Sequence, residues 1–440
     1  MSNTALSISQ LGQAFRDRTV DPIACLTATL ARIDRLDGGL HAFVHVDREG
    51  AMTAAAQSAA RMAAGARLGP LDGVPVGIKD VIHVAGMPTR CNSWLTDAAL
   101  ATRDAAIVAR LREAGAVIVG KLATHEFAIG GPAFDLPFPP ARNPWNVDHH
   151  PGGSSSGAGA AVAAGLVPLA IGSDTAGSVR NPASACGIVG LKPGYGLLPC
   201  EGVFPLAWSL DHIGLLTRTV EDMRIAAAAL GVGMDRPPSP LRVGYVRHFH
   251  TRDMIATPEM AAALDRAAAA LGAVDIALPP LGEFALVNRV ILQSEGFAIH
   301  AENFRERPKA FSALTRTALL PGAFIGAETV LAAYRHKRRL TAAVEAAFAN
   351  VDILLTASSM EPPCRIDDSA EIARTYMLQA RSPFNVTGHP ALAIGAGVSS
   401  EGLPLSLQLV APFGSEGRLL AAAAVWEQAM GGPMMPPPSA

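Results

Sequence analysis

The sequence predicts an α/β protein built on one large mixed β-sheet, flanked on both faces by α-helices and preceded by an N-terminal helical arm. Three observations predict it. Short apolar runs alternate with helical stretches along most of the 440 residues. Half of the residues are hydrophobic while only 5% are aromatic and 17% charged, a composition that suits a buried sheet wrapped by Ala-rich helices. Strand-like runs lie on both sides of Gly231 to Pro240, the stretch that reads best as a linker, so a single domain is favoured over two.

Taken in order, Ile8, Leu11, Ala14 and Phe15, then Ile23, Leu26, Leu30 and Ile33, follow helical apolar spacing, and an Ala-rich segment begins at Ala51. Residues 1–65 are therefore expected to form a helical arm packed on a main body of residues 66–432. From Val74 onward the runs VPVGI, AVIVG, LVPLAIG and GIVGLK read as strands, separated by helical stretches such as Asp104 to Ala114, Ala158 to Ala164 and Val220 to Leu230. The second half continues with RVGYV, a helix from about Pro258 to Leu271, a long helical region from Gly282 to Ala349, then VDILLT, ALAIGAG and LPLSLQLV. Residues 433–440, rich in proline, are expected to be a disordered tail.

A formal charge of −2 leaves no surplus of Lys and Arg with which to neutralise phosphates, so neither nucleic acid nor a membrane surface is an expected partner. The five cysteines are scattered without a C-x-x-C pair, which suggests neither a disulfide framework nor a zinc site. The N-terminus lacks the basic and apolar regions of a secretory signal, and the uncharged stretch Gly157 to Gly172, 16 residues long, is short of the ~20 needed to span a bilayer. A cytoplasmic protein is the expectation.

Three segments carry chemistry. In Gly69 to Asp80 a lysine, Lys79, ends an apolar strand, where burial would disfavour the ammonium and make a neutral amine available as a base; taken alone it reads as a strand-end lysine paired with Asp80. In Pro151 to Ala160, glycines and the hydroxyls of Ser154, Ser155 and Ser156 run into a small-residue helix, a pattern that also describes a plain helix cap. A phosphate cradle is disfavoured because no G-K-[ST] follows. In Ile171 to Ala183 a strand breaks into a tight turn carrying Ser178, which would supply a hydroxyl nucleophile beside convergent N–H donors.

Together these segments, with 75 residues from Lys79 to Ser154 and 24 from Ser154 to Ser178, resemble the amidase-signature family of serine amidohydrolases, as do Cys186 to Pro193, Ser209 to Gly214 and Gly402 to Gln408. The resemblance implies that family's fold and a Ser-Ser-Lys triad. Ser178 would be the nucleophile, Ser154 the bridging serine and Lys79 the base. Backbone N–H groups of Thr175, Ala176, Gly177 and Ser178 would form the oxyanion hole, with Asp174 and Arg180 holding the turn in shape. Phe127, Ala128, Ile129 and Gly130 would border the acyl pocket. Ala176 departs from the commoner glycine, and a positive φ there would cost about 1 kcal/mol.

Histidine and metal alternatives are weaker. His125-Glu126 lacks the second histidine of H-E-x-x-H, Asp148-His149-His150 reads as loop surface, and an Asp211-His212 relay is redundant once Lys79 and Ser154 supply one. No metal and no cofactor is called for. Arg335 and Arg338 on a predicted helix read either as a solvated face or as orienting an anionic substrate. The implied activity is hydrolysis of an amide, carbamate or urea-like bond of a small molecule through a Ser178 acyl-enzyme, with a homodimer left open. The alternatives are the A subunit of a tRNA-dependent amidotransferase, working with a partner subunit, and a non-catalytic amide-binding protein.

Overall fold

In the computed structural model, residues 6–233, 235, 240–377 and 379–436 are described, so half of Gly231 to Pro240 and the last four residues lie outside the description. Among the described residues eleven strands form one sheet: β1 (Phe43–Val46), β2 (Pro75–Lys79), β3 (Val117–Leu122), β4 (Leu169–Asp174), β5 (Val189–Lys192), β6 (His212–Thr217), β7 (Val243–Tyr245), β8 (Val274–Asp275), β9 (Ile353–Ala357), β10 (Ala391–Val398) and β11 (Pro404–Val410). Their order is β1-β3-β2-β4-β6-β5-β10-β11-β9-β7-β8. β2 runs parallel to β3 and β4, whereas the centre, from β4 through β6, β5, β10 and β11 to β9, is antiparallel. The sheet is mixed and draws on both ends of the chain, as expected.

Alternation along the strands divides the core between two faces. In β4, Leu169 and Ile171 join the larger cluster, with Ile78, Leu191 and Leu215, while Ala170 joins the opposite one, with Val119, Leu216 and Ala393. Helices Pro22–Leu40 and Ser156–Ala163 cover the second face. Among the described residues no single helix is long and apolar enough to cross a membrane.

Three elements differ from the expectation. The arm is not wholly helical: Phe43–Val46, a short β-branched and aromatic run between two helices, pairs antiparallel with β3 as the sheet's edge. The strand β6 emerges from His212–Thr217, whose glycine and preceding turn hide it in the sequence. The region from 282 to 349 is three helices, Leu281–Glu306, Ala313–Leu319 and Ala327–Ala347, interrupted where Pro308 and Pro321 remove backbone donors and bias the preceding residue away from helical geometry. In the expected tail, Met434 lies beside Gly187 and Gly395, and residues 437–440 fall outside the described residues.

Candidate active site

Lys79 ends β2 with its side chain fully buried. Its Nζ lies 2.8 Å from Ser154 Oγ and 2.9 Å from Ser173 Oγ. It is not paired with Asp80, whose carboxylate faces Lys121 Nζ at 2.9 Å in a separate buried ion pair. Burial lowers the Lys79 pKa to about 7 against the opposing charges of Asp174 and Asp211, so a large fraction is neutral amine at neutral pH.

Ser154 follows a cis peptide bond from Gly153. A side chain at Gly153 would collide with the His125 ring at 2.0 Å, so only glycine admits this loop. The loop is tied to the next segment by Ser155 N–H, which donates to Ser178 O at 3.2 Å, and Ser155 itself precedes helix Ser156–Ala163. Ser178 and Ala176 are half-buried and, with Ser154, line one cavity. Among the described residues the two serine hydroxyls are not hydrogen-bonded to each other.

Asp174 knits the turn between Thr175 and Ser178 from inside. Its Oδ1 accepts from Gly177 N at 2.8 Å, Arg180 Nη2 at 2.9 Å and Asn385 Nδ2 at 2.8 Å; its Oδ2 accepts from Val179 N and Arg180 Nε, both at 3.1 Å. Burial alone would raise the Asp174 pKa, but the Arg180 guanidinium and these bonds hold it well below the usual carboxylate range. Arg180 donates onward to Gln408 Oε1, Asn385 Oδ1 and Arg381 O. Arg381, Asn385 and Gln408 come from the last third of the chain, and only Gln408 sits in text that the sequence singles out.

The geometry revises several expectations. The Gly177 N–H is spent on Asp174, which leaves the amides of Thr175, Ala176 and Ser178 for an oxyanion. Positive φ falls on Gly177, at +123°, and not on Ala176, so the alanine is unstrained. At Gly177 a Cβ would also approach Arg381 Cβ to 2.7 Å. Ala128, Ile129 and Gly130 line the cavity, but Phe127 does not: with φ at +47° its ring turns into the core against His300 at 4.3 Å and Phe204 at 5.1 Å between centroids. His150 is buried, not loop surface; its Nδ1 accepts from Gly152 N at 2.9 Å and its ring stacks on Tyr376. Arg335 and Arg338 line an open groove on helix Ala327–Ala347, apart from the serine cavity. Asp211 does not serve His212: its Oδ1 accepts from Thr175 Oγ1 at 2.6 Å, while His212 Nδ1 faces Leu210 O. No cluster able to hold a metal ion occurs among the described residues.

The cavity that Ser154 and Ser178 share has a volume of about 700 Å³ and is walled by three helices, Leu281–Glu306, Ala313–Leu319 and Ser369–Met377. Ile129, Leu281, Leu292, Leu314 and Ile372 make its sides largely apolar; Asp135, Arg289 and Asp367 bring charge. Asn288, on the first of these helices, donates to Thr175 O at 3.3 Å and connects the wall to the turn.

The Amidase family model matches residues 24–420. The A subunit of glutamyl-tRNA(Gln) amidotransferase from Geobacter metallireducens is 33% identical over 96% of this chain and 97% of its own length; that of Picosynechococcus is 32% identical over 96% and 98%. Among solved structures, an inhibitor-bound one, described as a vestigial protein complex that reveals the origins of an s-triazine catabolic enzyme, superposes with a TM-score of 0.89 at 31% identity, covering 97% of this chain and 99% of that one. The peptide amidase of Stenotrophomonas maltophilia superposes with a TM-score of 0.84 at 27% identity, covering 98% of each chain. A buried lysine, two serine loops and a large mixed sheet thus coincide with a match across nearly the whole chain: the protein belongs to the amidase-signature family.

Proposed function

We propose that this protein hydrolyses carbon–nitrogen amide bonds through an acyl-enzyme on Ser178. The observation that carries the reading is the fully buried Lys79, its pKa drawn down to about 7, bonded to the Oγ of Ser154, which lines one cavity with Ser178. Neutral Lys79 accepts a proton from Ser154 as Ser154 accepts one from Ser178, and Ser178 Oγ attacks the amide carbonyl. The oxyanion is met by the amides of Thr175, Ala176 and Ser178. As the C–N bond breaks, the proton returns through Ser154 to the leaving nitrogen, and water then cleaves the ester by the reverse route. Asp174 and Arg180 keep the turn in shape. Residues 66–432 make up the catalytic unit in this reading, and 1–65 its arm.

The apolar cavity walls support an amide with an apolar acyl group as substrate. A second reading has a specific observation behind it. The curated relatives are named as amidotransferase A subunits, and these names support glutamine as the nitrogen donor, with a partner subunit, better than they support a stand-alone small-molecule amidase. One experiment covers both: a fluorophosphonate probe on wild type and Ser178→Ala, followed by ammonia release from aliphatic amides and from glutamine. Label and turnover should vanish together in Ser178→Ala. Retained turnover in a folded Ser178→Ala would end the mechanism, and the preferred substrate separates the two readings.

A further inference from the structure

Asp211 stands close to the reacting groups and has no part in the lysine and serine relay. It lies just before β6, nearly fully buried, and its carboxylate takes three donors: Thr175 Oγ1 at 2.6 Å, Leu206 N at 3.0 Å and Ala207 N at 3.1 Å. Thr175 is the first residue beyond β4 and the first amide of the turn that ends at Ser178. It is gripped on two sides, its hydroxyl by Asp211 and its carbonyl by Asn288 Nδ2. We propose that Asp211 is a positioning residue for the oxyanion turn, its carboxylate acting through the Thr175 hydroxyl to hold the amide donors in register. The proposal rests on the Ser178 mechanism above.

The charge state of Asp211 enters directly, because the ionised carboxylate is acceptor-only whereas the acid must donate a proton of its own into a shell made of donors. Burial raises the Asp211 pKa to about 6, opposed by Thr175 and the two amides and reinforced by Glu295. The charged and titratable groups facing it are Lys79 on β2, Glu295 on helix Leu281–Glu306, and Tyr195 and Cys200 on the segment after β5. Lys79 loses its base function as pH falls through about 7, and the turn loses its clamp as pH falls through about 6. The acid limb of kcat/KM therefore contains two protonations: a logarithmic slope of about one from Lys79, steepened just below about pH 6 by a further loss of up to about tenfold as Asp211 is protonated.

The test is the pH profile of Thr175→Val, Thr175→Ser and Asp211→Asn on an amide that wild type turns over, with Ser178→Ala measured beside them. Thr175→Val should lower kcat about tenfold, less than loss of a whole oxyanion donor, with KM little changed. Its acid limb should fall to a slope of about one, carrying the Lys79 step alone. Thr175→Ser, which keeps the hydroxyl, should restore both kcat and the steeper limb; Asp211→Asn, where it folds, should follow Thr175→Val. A Thr175→Val enzyme with wild-type kcat, or with the two-proton limb intact, overturns the positioning role. Full turnover by Ser178→Ala overturns the underlying mechanism instead, so the two failures are distinguishable.

Discussion

Replacing Lys79 with methionine removes the proposed base and should also make the folded protein more stable. In the unfolded chain Lys79 has its ordinary pKa of 10.5 and is protonated at neutral pH; in the fold, burial brings it to about 7. That depression amounts to about 5 kcal/mol of destabilisation below pH 7, vanishing only above pH 10.5. The sign follows from proton counting: between these limits the unfolded state binds one more proton, so stability rises with pH by about 1.4 kcal/mol per unit. Methionine fills similar volume without a charge to desolvate, but leaves the Ser154 and Ser173 hydroxyls without their nitrogen partner, a loss of about 1–3 kcal/mol. At pH 7 the net gain is expected to be about 2–3 kcal/mol. Denaturant unfolding of wild type and Lys79→Met at pH 7, 8 and 9 reads it directly, because the difference between the two curves isolates this one group. The difference should shrink by about 1.4 kcal/mol per pH unit. Parallel curves would mean that Lys79 stays protonated when buried, and the proposed base would lose its physical footing.

Other perturbations separate the turn from the pocket and the core. Gly177→Ala should lower kcat by about a hundredfold while binding of substrate is kept, since a side chain at φ +123° meets Arg381 and displaces the amides; steady-state kinetics with intact circular dichroism checks it. Asp174→Ala leaves the fully buried Arg180 without its counter-ion and should cost about 3–5 kcal/mol, measured as a fall in the unfolding midpoint. Phe127→Ala should cost about 3–5 kcal/mol of stability with acyl preference unchanged. Ile129→Ala should instead alter KM across a series of aliphatic amides, and a reversal of these two outcomes would return Phe127 to the pocket.

The proposed triad is legible in the sequence because its three residues sit in local segments where strand, glycine turn and hydroxyl occur together. The same locality explains what stays hidden. Arg381, Asn385 and Gln408 reach the turn from more than 200 residues away, the first from just before helix Pro383–Val386, the second from within it and the third from β11, and no spacing announces such a meeting. Phe127 and Ile129 are two positions apart and chemically alike; the left-handed backbone at Phe127 decides which faces the cavity. His150 reads as surface from its polar neighbours, yet Tyr376 covers it. The helix break at Pro308 is visible as a residue but is outweighed by the apolar periodicity on either side.

The pairing of Asp80 with Lys121 and of Asp174 with Arg180 decides what Lys79 is able to be. Asp80, next to Lys79 in sequence, and Asp174, near it in space, each already pair with another cation, so hydroxyls and not a carboxylate bond the amine. The proposed base is made by allocating counter-ions elsewhere. Removing Arg180 would free Asp174 to hold a proton on Lys79, turning the amine into a spectator ammonium without altering a single reacting atom.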